Sequence, residues 1–285
     1  MIYIRKIGFL ACLAGLLPGL CSAQGEDSTT WVRDQQVIRE LLAGQFSNAN
    51  QAYFDQRAAR PELHRRLNVI VAARENRGFS VEGKWSTDST FSWRLVLSPD
   101  DEARAVRMRL DDGAGSCDYL WYREAAQFRA VRNACSRDLP ESLVLSDRQL
   151  WLDLGEGNGG VFELHRARLF TCHADLPGVG GGVAIPYDRY GEFELHDQGG
   201  QAWFTSKEGR EIGISLLTVD WPLNNYDGVF TRDSFVMYLS EKLDGETRQL
   251  GYAFTIPDAD RIGINLKWIL AMCYMTSNRD ARPSM

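Results

Sequence analysis

From residue 67 onward the chain runs in short, strand-prone or alternating stretches, each cut off by a turn signal. This rhythm most limits what it can fold into. "LNVIVAARE" (67–75), "FSWRLVLS" (91–98), "ARAVRMRL" (103–110), "YLWYRE" (119–124), "QFRAVR" (127–132), "LVLSDRQLWLDL" (143–154) and "GVFELHRARLF" (160–170) follow one another, with "DDGAG" and "GEGNGG" among the breaks. Period-two alternation marks strands buried on one face, and Gly/Asp/Asn clusters mark the turns between them. Many short strands with tight connections predict an antiparallel barrel or sandwich.

Two helical patterns precede the strands. Residues 31–43, "WVRDQQVIRELLA", place Trp31, Gln35, Ile38, Leu41 and Leu42 largely on one face, with Gly44 as an expected C-cap. Residues 49–60 predict a second, shorter helix stopped by Pro61. The strand pattern returns in "GEFELHD", "QAWFTSKEG", "REIGISLLTVDW", "SFVMYLSEK", "LGYAFTI" and "IGINLKWILAMCY", after a Gly/Pro-rich bridge at 174–186. The expected organisation is a barrel domain over 31–170 and a C-terminal β-rich extension over 187–275.

The first 23 residues read as a secretory signal peptide: Arg5 and Lys6, an apolar run from Ile7 to about Leu20, then "CSA" before Gln24. A lipid anchor at Cys12 or Cys21 fits less well, because the run before Cys12 is short and Leu20 is bulky. Cleavage after Ala23 removes two positive charges and no negative one, taking the formal charge from −6 to −8. That balance argues against a nucleic-acid surface. No later run is long and apolar enough for a transmembrane helix. Periplasmic or secreted localisation follows, and Cys117, Cys135, Cys172 and Cys273 are expected to form two disulfides. Three pairings exist; Cys117–Cys135 across neighbouring strands with Cys172–Cys273 is preferred. A zinc site is the weaker reading, since no C-x-x-C is present.

No nucleophile elbow, H-E-x-x-H, P-loop or dinucleotide fingerprint occurs. The histidines at 64, 165, 173 and 196 are scattered; His165 reads as a strand-face residue, and "ELHDQGG" (194–200) as a hairpin turn. On an alternating strand Ser92, Arg94 and Val96 share one face, and Phe91, Trp93, Leu95 and Leu97 the other. Arg94 therefore either enters a barrel mouth, where it would fork onto a ligand carboxylate, or is solvated outside. The same choice applies to Arg104, Arg107 and Arg109. Tyr119, Trp121 and Arg123 alternate on one face of an expected hairpin, a surface suited to a flat, conjugated acid or to an ordinary core.

Leu42, Gly44, Phe46, Ser47, Asn48 and Gln51 form an L-x-G-x-F-S-N-x-x-Q pattern. It precedes the cysteine-bracketed "SCDYLWYREAAQFRAVRNAC" (116–135) and "LVLSDRQLWLDLGEGNGGVFELHR" (143–166). In these motifs and their order the chain resembles the CpcT/CpeT family of phycobiliprotein chromophore lyases, over about residues 35–168. The resemblance implies a mainly β, calycin/lipocalin-like antiparallel barrel with an N-terminal helix, commonly a homodimer. It further implies binding of a linear tetrapyrrole and its attachment through a thioether to a cysteine of an acceptor protein. The bilin would be a bound substrate, with no separate cofactor. On this reading Asn48, Gln51, Arg94, Tyr119, Trp121 and Arg123 are the ligand contacts, and no catalytic residue is named. The family ends near Arg166, whereas this chain continues. The competing reading is a secreted, non-catalytic β-barrel that binds a small hydrophobic ligand or an envelope protein.

Overall fold

The computed structural model describes residues 27–58, 60, 63–75, 78–135, 139–178, 184–220 and 233–276. The expected signal peptide lies outside them. Helix α1 (Asp27–Leu42) leads into a four-residue strand, β1 (Gly44–Ser47), and then helix α2 (Ala49–Arg57). Nine strands follow: β2 (Leu67–Ala73), β3 (Gly78–Trp85), β4 (Thr90–Asp100), β5 (Ala105–Asp111), β6 (Ser116–Glu124), β7 (Gln127–Cys135), β8 (Ser142–Leu145), β9 (Gln149–Asp153) and β10 (Val161–Arg166). Each pairs antiparallel with the next. β1 pairs with both β2 and β10, closing a ten-stranded barrel.

Alternation decides which side chains enter. Val106, Met108 and Leu110 of β5 are buried inside, while Arg107 and Arg109 point outward to Asp100 and Ser116. The inward residues merge into one apolar cluster that includes Ile38 and Leu42 of α1. Helix α1 thus plugs one barrel end; there Gln35 Nε2 donates to the Leu97 carbonyl (2.7 Å) and Arg123 Nε to Asp34 (2.9 Å).

Gly44 is not the expected helix cap; it is the first residue of β1. The carbonyls at the C-terminal end of α1 are met by Arg166, whose guanidinium donates to Leu41 and Ala43 and lies over the Phe46 ring. A Cβ on Gly44 would stand 2.5 Å from Arg166 Nη1, and its φ is +149°, so glycine makes room for this cap.

Some expected elements are divided differently. "LVLSDRQLWLDL" is a hairpin, β8 and β9, turned at Ser146, whose hydroxyl accepts from the Gln149 N–H. β3, with its Gly83 and charged outer positions, was not marked by the strand pattern. "GVFELHRARLF" breaks after Arg166, where Ala167 N–H turns to the Gln45 carbonyl (2.8 Å) and the chain leaves the barrel.

The remaining strands are β11 (Leu169–Pro177), β12 (Tyr187–His196), β13 (Gln198–Thr205), β14 (Glu211–Val219), β15 (Ser234–Leu243), β16 (Glu246–Thr255), β17 (Arg261–Asn265) and β18 (Leu270–Met275). They form two four-stranded sheets, β12-β11-β18-β17 and β13-β14-β15-β16, which share one apolar core including Phe170, Ile214, Phe235 and Ile262. β11 occupies the front of the expected bridge at 174–186, and "IGINLKWILAMCY" is the β17–β18 hairpin. "ELHDQGG" is not a hairpin: β12 pairs with β11 and β13 with β14, so the chain changes sheets at Asp197. The buried Asp197 carboxylate accepts from Arg168 N–H (2.9 Å), Arg168 Nε (2.6 Å) and Thr218 Oγ1 (3.1 Å), pinning that corner.

Both preferred disulfides are present. Cys117–Cys135 joins directly opposed residues of β6 and β7, and Cys172–Cys273 those of β11 and β18. Two disulfides accord with an oxidising, extracytoplasmic compartment. No helix among the described residues is long and apolar enough to cross a membrane.

Barrel and sandwich meet across α2. Asn50, 1% exposed, donates to the Thr218 carbonyl (2.7 Å) and Gln198 Oε1 (3.3 Å) and accepts from Asp220 N–H (3.0 Å). Arg66 reaches the carbonyls of Gln198 and Gly199, and Phe54 packs with Val219 and Val236. A cavity of about 420 Å³ lies along this seam, walled in part by His165, Arg168, Asp220 and Asp233.

Two predictions arise from this architecture. The Cys172–Cys273 bridge spans 101 residues of sequence, so replacing both cysteines by serine is expected to cost about 2–5 kcal/mol, read as a fall in urea midpoint. At the seam, burial, the Asp233 charge and its hydrogen bond, and Glu163 push the Asp220 carboxyl up to about 6. The folded protein therefore holds a proton that the unfolded chain releases near the ordinary aspartate value. That contribution is complete below the unfolded pKa and is lost as pH rises through about 6. Solvent reaches Asp220, so a loss of only about 1 kcal/mol is expected between about pH 4 and pH 7. Asp233→Asn should flatten this part of the profile of unfolding midpoint against pH.

Candidate functional site

The barrel is filled at its α1 end and open at the other. The open end gathers the start of β2, the end of β3, the start of β4, the end of β9 and the start of β10. Between them lies a cavity of about 600 Å³, within the range of small-molecule sites.

Its wall is aromatic because the inward-facing positions at these strand ends carry rings. Trp85 closes β3, Phe91 and Trp93 open β4, and Phe162 opens β10. Phe91 and Trp93 lie 4.3 Å apart between ring centroids, and Trp85 meets Phe162 edge-on at 5.2 Å. Gly83 is required for this arrangement: a Cβ there would come within 2.0 Å of the Phe91 ring, which folds over the glycine of the neighbouring strand.

A guanidinium and an imidazole sit beside the rings. The Arg65 guanidinium lies 4.5 Å from the centre of Trp85, and His64 meets Phe162 edge-on at 5.3 Å. Behind His64, the buried Asp55 carboxylate accepts its backbone N–H at 3.0 Å and stands 2.6 Å from Nδ1. Arg60 approaches the other Asp55 oxygen at 3.3 Å. Asp112 is the acid in the cavity wall among the described residues. Such a surface offers flat apolar contact with a positive edge, complementary to a conjugated carboxylate.

The six residues expected to contact ligand lie elsewhere, each for a definite reason. Asn48 is buried and spent on the chain: Oδ1 accepts from Leu67 N–H (2.7 Å) and Nδ2 donates to the Arg65 carbonyl (3.1 Å) and Gln51 Oε1 (3.2 Å). Gln51 likewise donates to the Val161 carbonyl (2.8 Å) and accepts from Glu163 N–H (3.2 Å). Arg94 is exposed on the outer face of β4, opposite Ser80 and Asp111, because the apolar face with Phe91 and Trp93 turned inward. Tyr119 and Trp121 are inside but fully buried in the filled middle of the barrel. The Tyr119 hydroxyl donates to the Pro140 carbonyl (2.7 Å) and is pushed up by burial; Trp121 Nε1 points at Met108 Sδ (3.4 Å). Arg123 belongs to the plugged end, paired with Asp34 and lying over Phe128.

Phe91, Trp93 and Phe162 were visible as aromatic residues near strand starts, whereas Trp85 closes β3, which the strand pattern did not mark. Alternation alone separates two faces; choosing the apolar one as interior is what would have found them. His64 and Arg65 have no periodic signal, since they sit in the connection between α2 and β2.

Neither a family model nor a curated protein matches the chain. Among solved structures, the T-type phycobiliprotein lyase CpeT from Prochlorococcus phage P-HM1 is similar over 46% of this chain and 96% of that one, with 14% identity and a TM-score of 0.35. A likeness of that size does not by itself assign an activity.

Proposed function

We propose that the barrel binds a flat, conjugated, acidic molecule in its open end, with a linear tetrapyrrole as the leading candidate. The observation that carries this is the cavity itself: about 600 Å³ walled by Trp85, Phe91, Trp93 and Phe162, with Arg65 and His64 at its edge. The ring faces would hold the conjugated system, and Arg65 and His64 would meet carboxylates. The choice of a tetrapyrrole rests on the motif resemblance around residues 42–51 and 116–135. A lyase reaction would add an acceptor cysteine S–H across the reactive vinylidene double bond, so that sulfur and hydrogen both end on the bilin and nothing leaves. Orientation and exclusion of water would be the protein's main contributions to that step.

A second reading is a non-catalytic exported protein that engages an envelope partner. Tyr252 and Phe254 on β16, an edge strand of the second sheet, and Ile256 just after it favour it, since they stand 59%, 70% and 61% exposed. Recovery of a defined envelope protein, lost when Phe254 is changed to Ser, would support it.

Absorbance and fluorescence titration with biliverdin and phycocyanobilin is the direct test. Trp85→Ala is expected to weaken binding about tenfold, equivalent to about 1.4 kcal/mol, while Tyr252→Ala leaves it unchanged. A flat titration with well-folded wild-type protein removes the bilin reading. For transfer, the protein, phycocyanobilin and a cysteine-bearing phycobiliprotein β subunit are incubated together. Covalent colour that depends on the protein and falls with Trp85→Ala supports the lyase; colour that forms equally without the protein defeats it.

A further inference from the structure

The contact between Asp55 and His64 has a form that packing alone does not require. One buried carboxylate oxygen serves both the backbone N–H of His64 and its ring Nδ1, at 3.0 Å and 2.6 Å. Asp55 is 1% exposed and sits on α2, whereas His64 belongs to the next connection and lines the open-end cavity. The double attachment fixes the loop and the plane of the imidazole together. A carboxylate on Nδ1 also keeps a proton there, so Nε2 is the nitrogen left to exchange one. Nε2 makes no hydrogen bond among the described residues.

The surroundings favour a negative partner. Arg65 adds a fixed positive charge on the same rim, and Arg60 stands behind Asp55. The charged and titratable groups facing His64 are Asp55 and Arg60 from the α2 side, Arg65 beside it in sequence, and Asp112 across the cavity; Trp85 and Phe162 supply apolar walls.

We propose that His64, held by Asp55, is the anion-recognition and proton-exchange group of this cavity, so that an aromatic carboxylate or sulfonate binds with uptake of one proton. The proton comes from solvent, resides on Nε2 of the imidazolium, and forms the hydrogen bond to the ligand oxygen; no other bond is made or broken. Asp55 is a positioning residue that sets the plane of the ring. This rests on the reading of the open end as a ligand site, but not on the ligand being a tetrapyrrole. Because ligand and proton favour each other reciprocally, affinity must fall as pH rises through the imidazole titration.

The test uses 1-anilinonaphthalene-8-sulfonate with the full protein, since a sulfonate stays ionised and any pH effect belongs to the protein. Fluorescence titrations between about pH 5.5 and pH 8 should show dissociation constants rising about tenfold for the wild type. His64→Gln should bind weakly and without that slope, and Asp55→Asn, which loosens the ring, should weaken binding while Asp55→Glu recovers part of it. Trp85→Ala, by reducing the signal, locates the probe in the cavity. Calorimetry in two buffers of different ionisation heat should count about half a proton taken up per ligand on the wild type near mid-transition, the uptake that a tenfold change in affinity requires, in a readout needing no variant. A pH-independent affinity, no proton uptake, or a slope that survives in folded His64→Gln overturns the assignment while leaving the cavity a binding site. Absence of any binding to folded wild-type protein overturns both.

Discussion

The barrel closes through β1, a strand of only four residues, and the rest of the molecule depends on how that short closure is completed. Beyond Ser47 the backbone makes one more rung, Asn48 N–H to the Leu67 carbonyl (3.2 Å), and then turns into α2, away from β2 on one side and β10 on the other. Two side-chain amides continue the ladder: Asn48 binds the backbone at Leu67 and Arg65, and Gln51 binds it at Val161 and Glu163. A side-chain amide carries both a donor and an acceptor, so it can replace a peptide group in a sheet. Between them Asn50 points the opposite way, into the sandwich. Closure and joint are thus made by one polar run.

That closure sets the asymmetry of the interior. Helix α1 enters beside β1 and fills one end with Ile38 and Leu42, held by Arg166 at its C-terminus. The middle is packed solid by Tyr119, Trp121, Met108 and their neighbours. Volume remains only at the far end, where Gly83 lets Phe91 fold flat and the rings stand around a space instead of filling it. A site there follows from where the plug is, not from the strand count.

The sandwich is tied on through groups that cost free energy to bury unless they are satisfied. Asp197 meets Arg168 and Thr218, Asn50 spans three partners, and Arg66 reaches two carbonyls. Satisfied polar contacts of this kind fix relative position more strictly than an apolar patch, because a small slide leaves donors unpaired. The same seam contains the Asp220–Asp233 pair, where proximity of like charges makes the fit depend on protonation.

The sequence by itself determined the class of fold, because period-two alternation and turn residues act locally. Val106, Met108 and Leu110 against Arg107 and Arg109 already separate an inner and an outer face, and the spacing of four cysteines allowed the pairing that formed. The polar run from Asn48 to Gln51, expected to hold ligand contacts, was legible as a motif. Its partners were not, since Val161, Leu67 and Thr218 are distant in the chain and are brought near only by closure. For the same reason the choice of site residues rested with the tertiary structure. Whether Trp121 lines a cavity or fills a core depends on which end α1 plugs, and whether Arg94 faces a ligand or water depends on the face its apolar neighbours Phe91 and Trp93 take. His64 and Asp55 carry no pattern at all; a carboxylate on a helix and an imidazole in a connection become a pair only when the chain turns back between them and buries the charge.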